Sequence, residues 1–159
     1  MVVPVRRATH FRMIMSRSNL LNEVAFREPN ASDVPFLFDS WLRSWRKSPW
    51  AGCIPNNLFF PLTRSSIEQL VGRGAKFTIA CLAADPEKIL GWCCHELSGE
   101  DAVVHYGYCK DCYLGLGILE ALVAQIPGNK PGYYTHRYRQ VSEACPGWRH
   151  TPEIARRKK

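Results

Sequence analysis

Apolar side chains recur every three or four positions at Val34, Leu37, Phe38, Trp41, Leu42 and Trp45, the spacing of one helix face. Ser32 or Asp33 stands where a cap belongs, Pro35 falls in the first turn, and Ser48-Pro49 stops the run, so this stretch predicts a helix. Before it, "EVAFR" reads as a short strand closed by "EPNAS". After it, "WAGCIPNNLFFPL" has no period and reads as an aromatic loop, packed over the core or forming a binding wall. "TRSSIEQLVGRG" predicts a second, shorter helix ended by Gly72 and Gly74. "AKFTIACL", "ILGWCCHEL" and "AVVHYGYC" follow as three strands joined by the turns "AADPEK" and "SGED", an antiparallel meander. "GLGILEALVAQI" predicts a third helix and "GYYTHRY" a last strand, so the order describes an α+β domain.

At 159 residues the chain is the size of one domain that can bury a core without staples. Its net charge of +7 sits at the ends: residues 1–20 carry four arginines and no acid, and residues 149–159 carry five basic residues against Glu153. Together the ends account for +8, which leaves the body at −1 and removes the case for a basic, nucleic-acid-reading surface. The expected organisation is a flexible basic extension over 1–21, a domain over 22–152 and a basic tail over 153–159, the tails offering weak contact to polyanions. No apolar run approaches the ~18 residues of a membrane span. The Arg-rich start shares a bias with transit peptides, but translation from Met13 or Met15 explains it more plainly. Seven cysteines without an export signal read as free thiols in a reducing, cytoplasmic compartment.

"YCKDCYLGLGILEALV", residues 108–123, holds two competing signals. Cys109 and Cys112 form a C-x-x-C, but zinc needs about four ligands, and the other dense group is Cys93, Cys94 and His95 on the neighbouring strand. Adjacent strand residues point to opposite faces, so small buried thiols are expected and no metal. A redox pair would sit at a helix start, whereas Cys109 lies on the strand. The second signal is Gly115-Leu116-Gly117 at the entry to a helix, where unpaired amides and the positive dipole end favour an anion.

The strand, glycine turn and helix, in this element order, resemble motif A of the GNAT N-acetyltransferase superfamily, which reads Arg/Gln-x-x-Gly-x-Gly/Ala after its fourth strand. Tyr113, Gly115, Gly117 and Ile118 match; Leu114 replaces the Arg/Gln and Leu119 the last small residue. "ASDVPFLFDSWLRSW" is similar to the first GNAT helix and "PGWRHTP" to the Gly-aromatic strand near the family's end, so the resemblance covers residues 23–152. "SWLRSWRKSPWA", "ILGW" and "VVHYGYCKDCYLGLGI" resemble small bacteriophage-encoded GNAT-like proteins, which implies a host cytoplasm. The resemblance implies a GNAT-like fold, a mixed and mostly antiparallel sheet flanked by helices. It also implies acetyl-coenzyme A as donor, its pyrophosphate on the amides of Gly115, Leu116, Gly117, Ile118 and Leu119, and its pantetheine arm along Tyr108 and Cys109.

His105 lies nine residues before Leu114, the spacing of a catalytic histidine in arylalkylamine-type GNAT enzymes. An imidazole there takes the proton of an ammonium acceptor, or is a histidine satisfied within the sheet. Glu96 is a second base candidate. Where the family supplies a tyrosine to protonate the thiolate this chain has Glu143, so Tyr138 or Tyr134 on the last strand would substitute. Trp41 and Trp45 belong to the core stripe, while Trp50 is the candidate wall of an acceptor site. The expected activity is direct acetyl transfer to an amine in a ternary complex; the alternative is a non-catalytic GNAT-fold module with a degenerate motif.

Overall fold

The computed structural model describes residues 17–157. Met13, Met15 and most of the basic N-terminal stretch lie outside the described residues. A six-stranded mixed sheet organises the chain, in the order β1 (Val24–Arg27), β2 (Lys76–Leu82), β3 (Asp85–Ser98), β4 (Asp101–Cys109), β5 (Asn129–Tyr134) and β6 (Arg149–His150). The first four strands pair antiparallel, as the expected meander does, while β4 with β5 and β5 with β6 pair parallel. This is the expected α+β architecture: a mostly antiparallel sheet flanked by helices in a single domain. No helix among the described residues is long and apolar enough to cross a membrane.

Both sheet faces are covered. On one, α2 (Val34–Arg46) and α3 (Asn56–Gly72) bury Leu37, Trp41, Ile67 and Leu70 against Phe77, Ile79, Trp92 and Tyr106. On the other, α4 (Ile118–Gln125) and α5 (Arg139–Ala144) bury Leu119, Leu122, Val141 and Ala144 with Leu90, Cys93 and Val104. Cys93 and Cys94 belong to opposite faces, as strand alternation requires. Leu20 of α1 (Arg17–Asn22) joins the second core, and Arg73 binds the carbonyls of Ile154 and Ala155 in α6 (Glu153–Arg156), so the packed unit reaches past residues 22 and 152 at both ends.

Four local readings differ from the structure. The helix expected from Thr63 begins at Asn56 and runs through Pro61; it buries only Phe59, Ile67 and Leu70, too sparse a stripe to show as a period. Val34 is exposed, and the buried face of α2 instead includes Ser40 and Ser44, whose hydroxyls bond back to carbonyls of the preceding turn. Asp33 holds the cap position but its carboxylate bonds no helix amide. It accepts the Asn30 amide at 2.8 Å and the Arg27 guanidinium at 2.6 and 3.0 Å, and Arg27 holds it below the ordinary carboxylate range. Finally, the strand expected over 132–138 stops at Tyr134: Tyr138 is not on a strand but occupies the N-cap position of α5, whose Val141 and Ala144, with Cys145 just beyond, pack on the core at helical spacing.

Candidate functional site

Strand β4 and the segments on either side of its free end build the site. Its parallel pairing with β5 ends at Val104–Tyr134, extended by one bond from the Thr135 amide to the Val104 carbonyl. Beyond that point the edge of β4 has no strand beside it. The Cys109 amide on this edge donates to Gln140 Oε1 at 2.9 Å. Tyr108 and Cys109 point to opposite faces, so this bond closes a seam between two openings: Tyr108 and Tyr138 line a cavity of 440 Å³, and Cys109 and Gln140 line a recess of 70 Å³ at the glycine turn.

The turn leaves β4 through a 3₁₀ turn (Asp111–Tyr113) and enters α4 at Ile118, three residues later than the sequence suggests, because Gly115 (φ 76°) and Gly117 (φ 83°) are both left-handed. Only glycine adopts that conformation twice without strain. No side chain caps α4, and among the described residues the amides of Gly117, Ile118, Leu119 and Glu120 donate to no backbone carbonyl. These are the free donors an anion needs. Leu116 is half-buried and packs against the core. Leu119 is buried over Gly107, where an added Cβ would stand 2.7 Å from its Cδ1; the missing side chain on β4 is what admits the larger one on α4. The recess is also lined by the carboxylates of Glu120 and Glu143, the latter paired with Arg139 at 2.8 Å. Backbone geometry there fits a phosphate; the side-chain charge opposes one.

Cys109 is buried and its thiol is pushed up to about 12, first by burial, while Cys112 is exposed in the 3₁₀ turn. A thiol that burial holds protonated is a poor nucleophile.

His105 and Glu96 come together; Tyr138 lies apart from them. The register of β3 with β4 slips between Cys94–Tyr106 and His95–Val104, which leaves His105 as the extra residue of a β-bulge. The bulge carries its ring into the α3 side of the sheet, fully buried, with Nε2 3.0 Å from Glu96 Oε1 and Nδ1 3.0 Å from Thr135 Oγ1. Arg73, at the end of α3, grips both oxygens of Glu96. Burial lowers the His105 pKa more than Glu96 raises it, so the ring is neutral; His105 and Arg73 together hold Glu96 below its ordinary value despite burial. Thr135 Oγ1 also meets His136 Nδ1 at 2.9 Å, so His136, Thr135, His105, Glu96 and Arg73 form one chain of polar contacts. The sequence gives no sign of His136 or Thr135, since nothing local distinguishes them.

Tyr138 stacks on Tyr106 at 4.9 Å, and Tyr106 stacks in turn on Trp41 at 4.9 Å. Burial raises the Tyr138 pKa, so its phenol stays protonated and can donate. Tyr134 lies on β5, half-buried and tilted against the His150 ring, and does not line the 440 Å³ cavity. The Ser48 hydroxyl beside Tyr138 is buried with no partner and lines the same 440 Å³ cavity. Trp50 is 55% exposed and walls a third opening, of 350 Å³, with Trp45 and His136.

No family model and no curated protein matches the chain. Solved structures do. A GNAT-family acetyltransferase of Staphylococcus aureus Mu50 is 17% identical, with a TM-score of 0.45, over 65% of this chain and 62% of that one. The PaiA N-acetyltransferase of Thermoplasma acidophilum, solved with coenzyme A, is 16% identical with a TM-score of 0.46, over 64% and 67%. A GNAT-superfamily phosphinothricin acetyltransferase of Sinorhizobium meliloti, solved with AcCoA, is 14% identical with a TM-score of 0.45, over 64% and 56%. The chain thus spans less than two thirds of the Staphylococcus and Sinorhizobium proteins. These are similarities of outline and assign this chain no ligand and no chemistry.

Proposed function

We propose that the chain transfers an acetyl group from acetyl-coenzyme A to an amine by direct attack in a ternary complex. The observation that carries this reading is the seam at the end of β4. A strand edge freed of its neighbour has its Cys109 amide occupied by the side-chain amide of Gln140, the chemical group that an extended amide-bearing arm would replace. Acetyl-coenzyme A supplies such an arm, ending in a thioester, and a pyrophosphate suited to unpaired helix amides. Gly115, Gly117, Ile118 and Leu119 would hold the phosphates through their amides, and Tyr108 and Cys109 would line the arm; Leu116, expected among these donors, already gives its amide to the Tyr113 carbonyl at 3.3 Å.

The acceptor's ammonium has to lose a proton before its nitrogen can attack. His105 and Glu96 are neutral and anionic respectively, the states required to receive one. Full burial keeps His105 from touching an acceptor directly, so it acts through Thr135 and His136. Tyr138, protonated and beside the 440 Å³ cavity, would return a proton to the departing sulfur, and the unpartnered Ser48 hydroxyl would donate to the carbonyl oxygen.

A second reading, a non-catalytic GNAT-fold module of the phage type, is favoured by Glu120, Glu143 and the bulk of Leu119 at the recess. Calorimetric titration with acetyl-coenzyme A separates the two. Saturable binding weakened by added salt is expected; absence of binding leaves the module.

A further inference from the structure

The 350 Å³ cavity beneath Trp50 is within the ~300–1,000 Å³ range of small-molecule sites. Its walls are aromatic, Trp45 and Trp50, and its rim carries two cations, Arg137 and Arg156, beside the His150 ring; no carboxylate lines it. Arg137 is fixed in place, its guanidinium 5.8 Å from the Trp50 ring centre and its Nε donating to His150 Nδ1 at 3.1 Å. Among the described residues no acidic side chain pairs with Arg137 or Arg156. Arginines with free forks beside aromatic walls suit a planar anion such as a carboxylate on an aromatic body.

The polar chain behind this cavity has a direction. An ionised Glu96 only accepts, so neutral His105 presents Nε2–H to it and keeps Nδ1 as a lone pair. The Thr135 hydroxyl has two acceptors in reach, the His105 carbonyl at 3.3 Å and that lone pair at 3.0 Å; with its proton on the nearer nitrogen, its oxygen can accept from His136 Nδ1–H at 2.9 Å. His136 is left with a bare Nε2 lone pair on a ring that lines the cavity. At the other end Glu96 lines a separate opening beside Gly99 and Arg157.

We infer, resting on the acetyl-transfer reading, that this cavity takes the acceptor, that the acceptor is an amine carrying an anionic group, and that His136 rather than His105 meets its ammonium. The ammonium N–H breaks as His136 Nε2–H forms. His136 Nδ1–H passes to Thr135 Oγ1, whose own proton moves to His105 Nδ1, and His105 Nε2–H passes to Glu96, which releases it to water beside Gly99. The free amine remains in the cavity, and each relay residue has given one proton and taken one. Both imidazoles are left in their opposite tautomers; after product release the reverse passage of a water proton from Glu96 to His136, with His136 Nε2–H lost to solvent, restores them. Arg137 lines both this cavity and the 440 Å³ one, so the two openings adjoin where the amine would meet the thioester.

Calorimetry without coenzyme A compares L-phenylalanine with phenethylamine and L-tyrosine with tyramine, pairs that differ only in the carboxylate. The amino acid should bind about tenfold tighter, a preference lost in the Arg137→Gln/Arg156→Gln double variant. Equal affinity within each pair, no binding by any member, or a preference that survives the double variant overturns the assignment. Nitrogen NMR of the imidazole rings in the wild-type protein should find His136 protonated on Nδ1, with Nε2 responding to phenylalanine; a resting Nε2–H form overturns the relay. His136→Asn keeps an N–H toward Thr135 but removes the lone pair. At saturating phenylalanine it should acetylate with a kcat ~100-fold below wild type, whereas an unchanged kcat removes His136 from the reaction. If phenylalanine binds as expected and acetyl-coenzyme A does not, the ligand class of the cavity stands and the acetyl-transfer reading falls.

Discussion

The two places where strand β4 meets open space have opposite electrostatics. At its end, the glycine turn offers free backbone amides in a recess of 70 Å³, yet the charged residues lining it are Glu120 and Glu143. At its bulge, the polar chain through His105 and Thr135 ends at a cavity of 350 Å³ rimmed by Arg137 and Arg156. The turn can hold an anion only through its backbone, against its own carboxylates; the cavity can hold one through side chains aimed for it. The difference teaches that the two openings would hold an anion by separate means, the turn through backbone amides against its lining carboxylates and the cavity through arginine side chains.

The largest effect that tests this contrast is at the turn. Leu119→Ala should cost about 3 kcal/mol of stability, read from urea unfolding, because it empties a buried site over Gly107, and it should tighten coenzyme A binding if Leu119 crowds the recess. Gly107→Ala, which pushes a Cβ into the same leucine, should cost ~1–3 kcal/mol without improving binding. Equal binding in wild type and Leu119→Ala would clear Leu119 of any obstruction.

Next in size is the relay. His105→Gln should lower kcat by ~100-fold while leaving coenzyme A affinity unchanged, since the ring touches the proton path and not the turn. Because burial holds the His105 pKa down, the acid limb of the wild-type kcat profile should fall below the ordinary imidazole value of about 6.5. Stability obeys the same sign. The unfolded chain gains imidazole protons first, so the His105 and His136 contributions are complete above pH ~6.5 and are lost as pH falls, levelling off for His136 near 4. Thermal midpoints measured across that window should slope less steeply in His105→Gln, and a slope identical to wild type would place the proton uptake elsewhere.

Smaller effects sharpen the charge contrast. Glu120→Lys should tighten acetyl-coenzyme A about tenfold at low salt, an advantage that shrinks at high ionic strength, by reversing the opposing charge at the helix start. The same change should leave phenylalanine binding at the cavity unaltered. Gln140→Ala should tighten coenzyme A by about fivefold, because the Cys109 amide no longer has an internal partner to give up. Weaker binding would instead make Gln140 a ligand of the arm.

Much of the frame was legible in the chain. Alternation and period located five of the six strands and the two helices α2 and α4, placed Cys93 and Cys94 on opposite faces, and marked the strand, glycine turn and helix as one unit. These features depend on residues a few positions apart, so local sequence suffices to specify them. The run of α3 through Pro61 escaped because its buried residues are too sparse to show a period, and α5 because six residues are too few to establish one; packing against the sheet supplies what the pattern lacks.

Partnership was decided only by the tertiary structure. The sequence nominates His105 and Glu96 but not the one-residue bulge that turns His105 toward Glu96, because a bulge is a property of two strands in register. It nominates Cys109 but not Gln140, which lies 31 residues away and reaches the strand edge only because β4 outruns β5. His136 and Thr135 look like ordinary strand-end residues until the parallel pairing of β5 sets them against His105. A side chain's period fixes which face it occupies, a local matter; which group it meets there depends on register and crossover between distant segments, and those are chosen by the burial of the whole core at once.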